Sequence, residues 1–124
     1  MFPDNTANAF KIKLSQSVDF GYYGLCSLVQ LNIPQIMGAK SMDILVLVNF
    51  VSESFVGPTR MPVVFRFMPV DTNVSYSGIG ENLFVPVKGL STDILEVSFV
   101  NGNTFAPVLF ADGVTYCTFH FLEV

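Results

Sequence analysis

An all-β chain, folded as an eight-stranded antiparallel β-sandwich, is what this sequence predicts, and three observations predict it. Apolar residues recur at a period of two in short runs, and turn residues separate those runs. No stripe with the three- and four-residue spacing of an amphipathic helix is sustained over ten positions. At 124 residues, 51% hydrophobic and 13% charged, the chain is long enough to bury one core and too apolar for a disordered segment.

The first strand is read at residues 10–14, where Phe10, Ile12 and Leu14 take one face and Lys11 and Lys13 the other, the pattern of a strand with one wet side. After a loop at 15–21, residues 22–33 set Tyr23, Leu25, Val29, Leu31 and Ile33 against Cys26, Leu28, Gln30 and Asn32. Pro34, which has no amide proton to give a ladder, ends that run. Residues 43–51 are apolar on both faces, as in a central strand or one covered by a neighbouring subunit, and their β-branched content disfavours a buried helix.

Gly57-Pro58 marks a turn. In the fourth strand Val63, Phe65 and Phe67 alternate with Val64, Arg66 and Met68, which puts Arg66 on the outer face. Residues 71–81 form a polar loop before a short fifth strand around 83–87. Leu95, Val97 and Phe99 against Glu96 and Ser98 give the sixth, ended by Asn101-Gly102, a dipeptide suited to the positive φ of tight hairpins. A seventh strand is read at 105–110, and Asp112-Gly113 leads into the eighth at 114–122, where Cys117, Phe119 and Phe121 alternate with Tyr116, Thr118 and His120. Residues 1–124 read as a single domain, either a jelly roll or an immunoglobulin-like sandwich, and the Trp of the latter is missing.

Charge and motifs then narrow the function. Ten acidic residues against six basic give a net charge of -4, which opposes attraction to phosphate backbones, so no direct nucleic-acid binding is expected. The uncharged stretch 20–39 reaches the length of a membrane span, but its Gly, Gln, Asn and Pro residues read as a strand and a loop. The start of the sequence has neither a basic nor an apolar region of a secretory signal, so synthesis inside the cell without secretion is expected. On the same ground the sequon Asn73-Val74-Ser75 reads as a chance match.

Cys26 and Cys117 lie in apolar runs without CxxC spacing and read as two buried thiols, with a disulfide between them as the alternative. His120 is the one histidine, too few for a cupin-type metal shell, and no nucleophile is evident beside it. Asp93, Glu96 and Asp112 read as strand-edge or turn residues rather than paired catalytic carboxylates. Gly78-Ile79-Gly80 lacks the helix and the Lys of a phosphate loop. No catalytic site, cofactor or metal is expected. Apolar strand faces with little surface charge are instead the mark of an obligate interface.

In one respect the order of segments is informative as a whole. The opening Phe2-Pro3-Asp4-Asn5-Thr6 leads into Phe10-Lys11-Ile12-Lys13-Leu14, and residues 43–50 are followed by Glu53, Val56-Gly57 and Met61-Pro62-Val63-Val64. Then come Phe84-Val85-Pro86-Val87, Asp93-Ile94-Leu95-Glu96-Val97 and the closing His120-Phe121. This series resembles the single jelly-roll penton, or minor capsid, proteins of Polinton (Maverick) elements and related double-stranded DNA viruses. The resemblance implies a jelly roll that forms homopentamers at the fivefold vertices of an icosahedral virion, beside a double jelly-roll major capsid protein, and catalyses nothing. Subunit-interface positions are expected at Phe50, Phe55, Val56, Arg66 and Tyr76, which lie on or beside the two-sided strands and the long loop. The alternative is a trimeric ligand-binding jelly-roll module of the extracellular signalling type.

Overall fold

The computed structural model describes residues 6, 8–20, 23–37, 43–69, 75–77, 83–89, 91–111 and 113–123. They form β1 (Ala9–Asp19), β2 (Tyr23–Asn32), β3 (Ile44–Val48), β4 (Ser54–Val56), β5 (Thr59–Met61), β6 (Val63–Phe67), β7 (Ser75–Ser77), β8 (Val85–Pro86), β9 (Ser91–Asn101) and β10 (Tyr116–Glu123). Every strand pairing is antiparallel. Sheet A has the order β1-β9-β3-β6, and sheet B has the order β10-β2-β7 with β8 also paired to β2. The β4-β5 hairpin stands apart from both. No helix of the described residues is long and apolar enough to cross a membrane.

The period-two pattern of the sequence becomes a single core shared by the two sheets. Cys26, Leu28 and Leu31 of β2 face Ile44, Val46 and Val48 of β3 and Val97 and Phe99 of β9, while Phe119 and Phe121 of β10 lie partly buried against the same cluster. Phe50, just past β3, ties the sheets together. It is fully buried, stacked on Phe20 with ring centroids 5.0 Å apart and set edge-on to Phe119 at 5.2 Å. Burying one such ring is worth about 1.5–3 kcal/mol. Beside it, Asn49 clamps β9: its Nδ2 donates to the Ile94 carbonyl (3.0 Å), and its Oδ1 accepts from the Glu96 amide (2.9 Å).

The structure departs from the sequence reading at several places, each for a local reason. The loop read at 15–21 is in its first part strand, since β1 continues to Asp19 and pairs again with β9 at Val18 and Asp19. Residues 105–110 are not a strand. They run back along the end of β9 through the single bridge Val100↔Pro107 and then reach Ile36↔Phe110. Their entry is bent by Phe105, whose φ of 62° is left-handed, a conformation that costs an L-residue roughly 1–2 kcal/mol. Asn101 holds this turn, accepting on its side-chain oxygen from the amides of Asn103 and Thr104.

Positive φ was expected at Asn101-Gly102 and falls on Phe105 instead. Gly102 is needed for a different reason, because a Cβ there would lie 3.0 Å from the Cβ of Asp43. At Gly57-Pro58 the expected turn is present, with a φ of 60° at Gly57 joining β4 to β5 across a two-residue loop. The two-sided apolarity of 43–51 belongs to a central strand, since β3 lies between β9 and β6. Leu45, on the outer side, is fully buried between its ladder partners Arg66 and Val100.

Candidate assembly surface

The five positions read from the sequence as interface residues fall in different surroundings. Phe50 is enclosed in the subunit's own core, because the chain turns inward at Asn49 and Phe50 at the end of β3, which leaves its ring no surface for a neighbour. Phe55 is the opposite case: it stands on β4 at 72% exposure, with the Arg60 guanidinium over its ring at 5.7 Å. That cation–π contact is worth about 0.5–1 kcal/mol at an exposed site. Val56 is half-buried beside the Gly57 turn. Arg66 is exposed on the outer face of β6, where it donates to the Asp43 carboxylate. Tyr76 lies on β7, in register with Leu31 of β2. The sequon Asn73-Val74-Ser75, apart from Ser75, and the Gly78-Ile79-Gly80 segment fall outside the described residues, as does Asp112.

Of the other acids singled out in the sequence, Glu96 pairs with Lys11 at 3.3 Å and Asp93 with Lys13 at 3.7 Å. Each therefore faces a lysine rather than a second carboxylate. Among the described residues no group of three or more His, Cys, Asp or Glu side chains could hold a metal. Cys26 and Cys117 are free and face different partners along the β2–β10 ladder, Phe121 and Leu31. Burial pushes both thiols from 9.0 up to about 12. Since unfolded thiols ionise first, their share of the stability is whole below pH 9 and is lost as the pH rises from about 9 toward 12.

One pairing on the outer face of sheet B was not evident from the sequence. Ser27 of β2 is the ladder partner of His120 on β10, and the ring of Phe84, next to β8, meets the His120 ring edge-on at 5.7 Å. The two rings approach from opposite sides of β2, which accounts for the complete burial of an outward-facing Ser27. Its hydroxyl has no hydrogen-bond partner, so serine and histidine are adjacent without being assembled as nucleophile and base. The sequence holds no local sign of this contact, because only the long-range register of β2 with β10 brings the two residues together.

Large apolar side chains exposed elsewhere include Met37, Leu109, Val114 and Tyr116. The backbone joins the first two, since the Met37 amide donates to the Leu109 carbonyl at 2.8 Å. Tyr116 is in register with Asn32, and Gly113 lies so close to Pro34 that an added Cβ would meet the proline ring at 3.1 Å. The segments 34–37 and 109–116 thus present apolar side chains from one end of sheet B, the kind of surface that self-associating proteins cover. Compared with protein-family models, with curated proteins and with solved structures, the chain matches none.

Proposed function

We propose that this chain is a structural subunit, a single jelly roll of the penton type that forms homopentamers at the fivefold vertices of an icosahedral capsid, beside a major capsid protein. The strand order is the observation that carries the reading. A jelly roll has two four-stranded sheets, in which its first strand neighbours the eighth and its second the seventh. Counting β1, β2, β3, β6, the β7 and β8 segments together, β9 and β10 as the second to the eighth, the order β1-β9-β3-β6 falls on second-seventh-fourth-fifth. The order β10-β2-β7 falls on eighth-third-sixth. The exposed apolar residues of 34–37 and 109–116 supply surface for neighbours in a ring.

Native mass across a dilution series tests the proposal. A species of five subunits that persists on dilution is the expected result. A stable trimer would overturn it in favour of the ligand-binding jelly roll, and a monomer at every concentration would overturn it outright.

A further inference from the structure

Of the eight asparagines in the chain, Asn101 is the one followed by glycine. Asparagine is labile in that setting, because a following residue without a Cβ lets its own amide nitrogen reach the side-chain carbonyl before it. The Gly102 nitrogen would bond to Cγ of Asn101 as its proton passes to base, while the Cγ–Nδ2 bond breaks and ammonia leaves. The succinimide that results takes up water and opens to aspartate or, with the main chain rerouted through Cγ, to isoaspartate.

The fold uses both residues of this pair and engages both reacting groups elsewhere. Gly102 is buried, and a Cβ there would lie 3.0 Å from the Cβ of Asp43. Its N–H donates to the Asp43 carbonyl at 2.8 Å. Asn101 Oδ1 accepts from the amides of Asn103 (2.8 Å) and Thr104 (3.1 Å), which fixes the side chain. The main chain on either side of its Cα is fixed as well: the Asn101 N–H donates to the Ala106 carbonyl, and the Asn101 carbonyl accepts from the Phe105 amide, both at 2.8 Å. Asn101 also stands in register with Ile44 at the last rung between β9 and β3. Cyclisation has to swing the Gly102 nitrogen onto Cγ, and that rotation gives up the bond to Asp43 together with those on Oδ1.

We infer that Asn101-Gly102 is a latent deamidation site, silent in the native subunit and active when the end of β9 opens, and that isoaspartate formed there bars a chain from the native fold. Isoaspartate inserts an extra methylene into the main chain at the rung with Ile44 and displaces Gly102 from its fit against Asp43. It also carries its free carboxylate on Cα, out of place for the amides of Asn103 and Thr104. Aspartate keeps an oxygen where Oδ1 stands and leaves the turn intact. The dipeptide is therefore a clock on the unfolded state: chains that fold promptly keep Asn101, and chains that linger lose it.

The wild-type protein, aged at mildly alkaline pH either native or in guanidinium, provides the test. Peptide mass spectrometry with fragmentation places the conversion at Asn101 and separates aspartate from isoaspartate. Conversion in the native protein should run slower than in guanidinium by roughly tenfold or more, since the segment must first open. A native rate within roughly tenfold of the unfolded one would overturn the latent site, and would mean that the two amides on Oδ1 polarise the carbonyl for attack instead of guarding it. Diluting the aged guanidinium sample and collecting the folded species by size exclusion gives the second reading. Isoaspartate at position 101 should be depleted there roughly tenfold relative to the whole sample, while aspartate is retained. An equal share of isoaspartate in the folded species would overturn the bar to folding.

Discussion

Sheet A meets water with charge, and sheet B meets it with aromatic and small polar side chains. The ion pairs Lys11–Glu96, Lys13–Asp93 and Arg66–Asp43 all lie on sheet A. Its edge strand β1 carries two of the lysines and also a break in its own ladder, where residues 14–17 stand against Asp93 alone. In sheet B, the strands β2, β7, β8 and β10 hold one acidic residue, Glu123, and no Lys or Arg. Both sheets feed the same core, so the contrast concerns their outsides only. The charged, irregular edge at β1 is made to stay in water.

Four substitutions break or sharpen this contrast. The largest effect is expected at Phe50, where the two sheets are joined. Phe50→Ala should cost about 3–5 kcal/mol in urea unfolding, since it removes a ring stacked on Phe20 and edge-on to Phe119. A loss no greater than that of a surface substitution would show that the sheets do not depend on this link. Next comes Asn49→Ala, which strips the Ile94 carbonyl and the Glu96 amide of their side-chain partner. A destabilisation of about 1–3 kcal/mol is expected there by the same measurement.

On sheet B the sign reverses. Ser27→Ala removes a buried hydroxyl without a partner and should leave stability unchanged or raise it by up to about 1 kcal/mol. A calorimetric melt reads this directly, and a fall of several degrees would mean that the hydroxyl makes a bond in solution. The smallest effect belongs to Lys11→Ala, whose ion pair with Glu96 is half-exposed on both sides. Its cost should stay within about 1 kcal/mol and shrink as salt is added, which melts at low and high ionic strength would establish.

Those parts of the fold that follow from local alternation were legible in the sequence. Phe10 on β1 and Cys117, Phe119 and Phe121 on β10 pack on the core while Lys11 and Lys13 stay exposed, as a period of two assigns them. Ile12, read on the face of Phe10, is instead exposed and lies outside the core cluster. Three kinds of information were not local. The strands β4 and β5 are three residues each, too short to show a period, so only their turn was visible. The double apolarity of β3 fitted a central strand and a subunit contact equally well, and the choice depended on Arg66 and Val100 flanking Leu45. Phe50 was assigned outward because it follows an apolar strand, whereas the turn at its end swings it into the core. Of the five surface positions, Phe55 was read from its place beside the two-sided stretch 43–51, and it stands exposed on β4. The Ser27–His120 pair depends on which strands pair, and no short stretch of sequence contains that.

The pairing of early strands with late ones also sets the order in which this protein can be made. β1 closes on β9, and β2 closes on β10, the last of the ten described strands to leave the ribosome. Apart from β3 with β6, which pair across the β4-β5 hairpin, the ladders of both sheets must wait for a partner from far along the chain, a topology that folds slowly. During that wait Cys26, Leu28 and Leu31 of β2 lie uncovered by Phe119 and Phe121, in a nascent chain whose apolar strands invite intermolecular pairing. β2 therefore stays open to intermolecular pairing until β10 has emerged, and the yield of native subunit should depend on how quickly β10 follows.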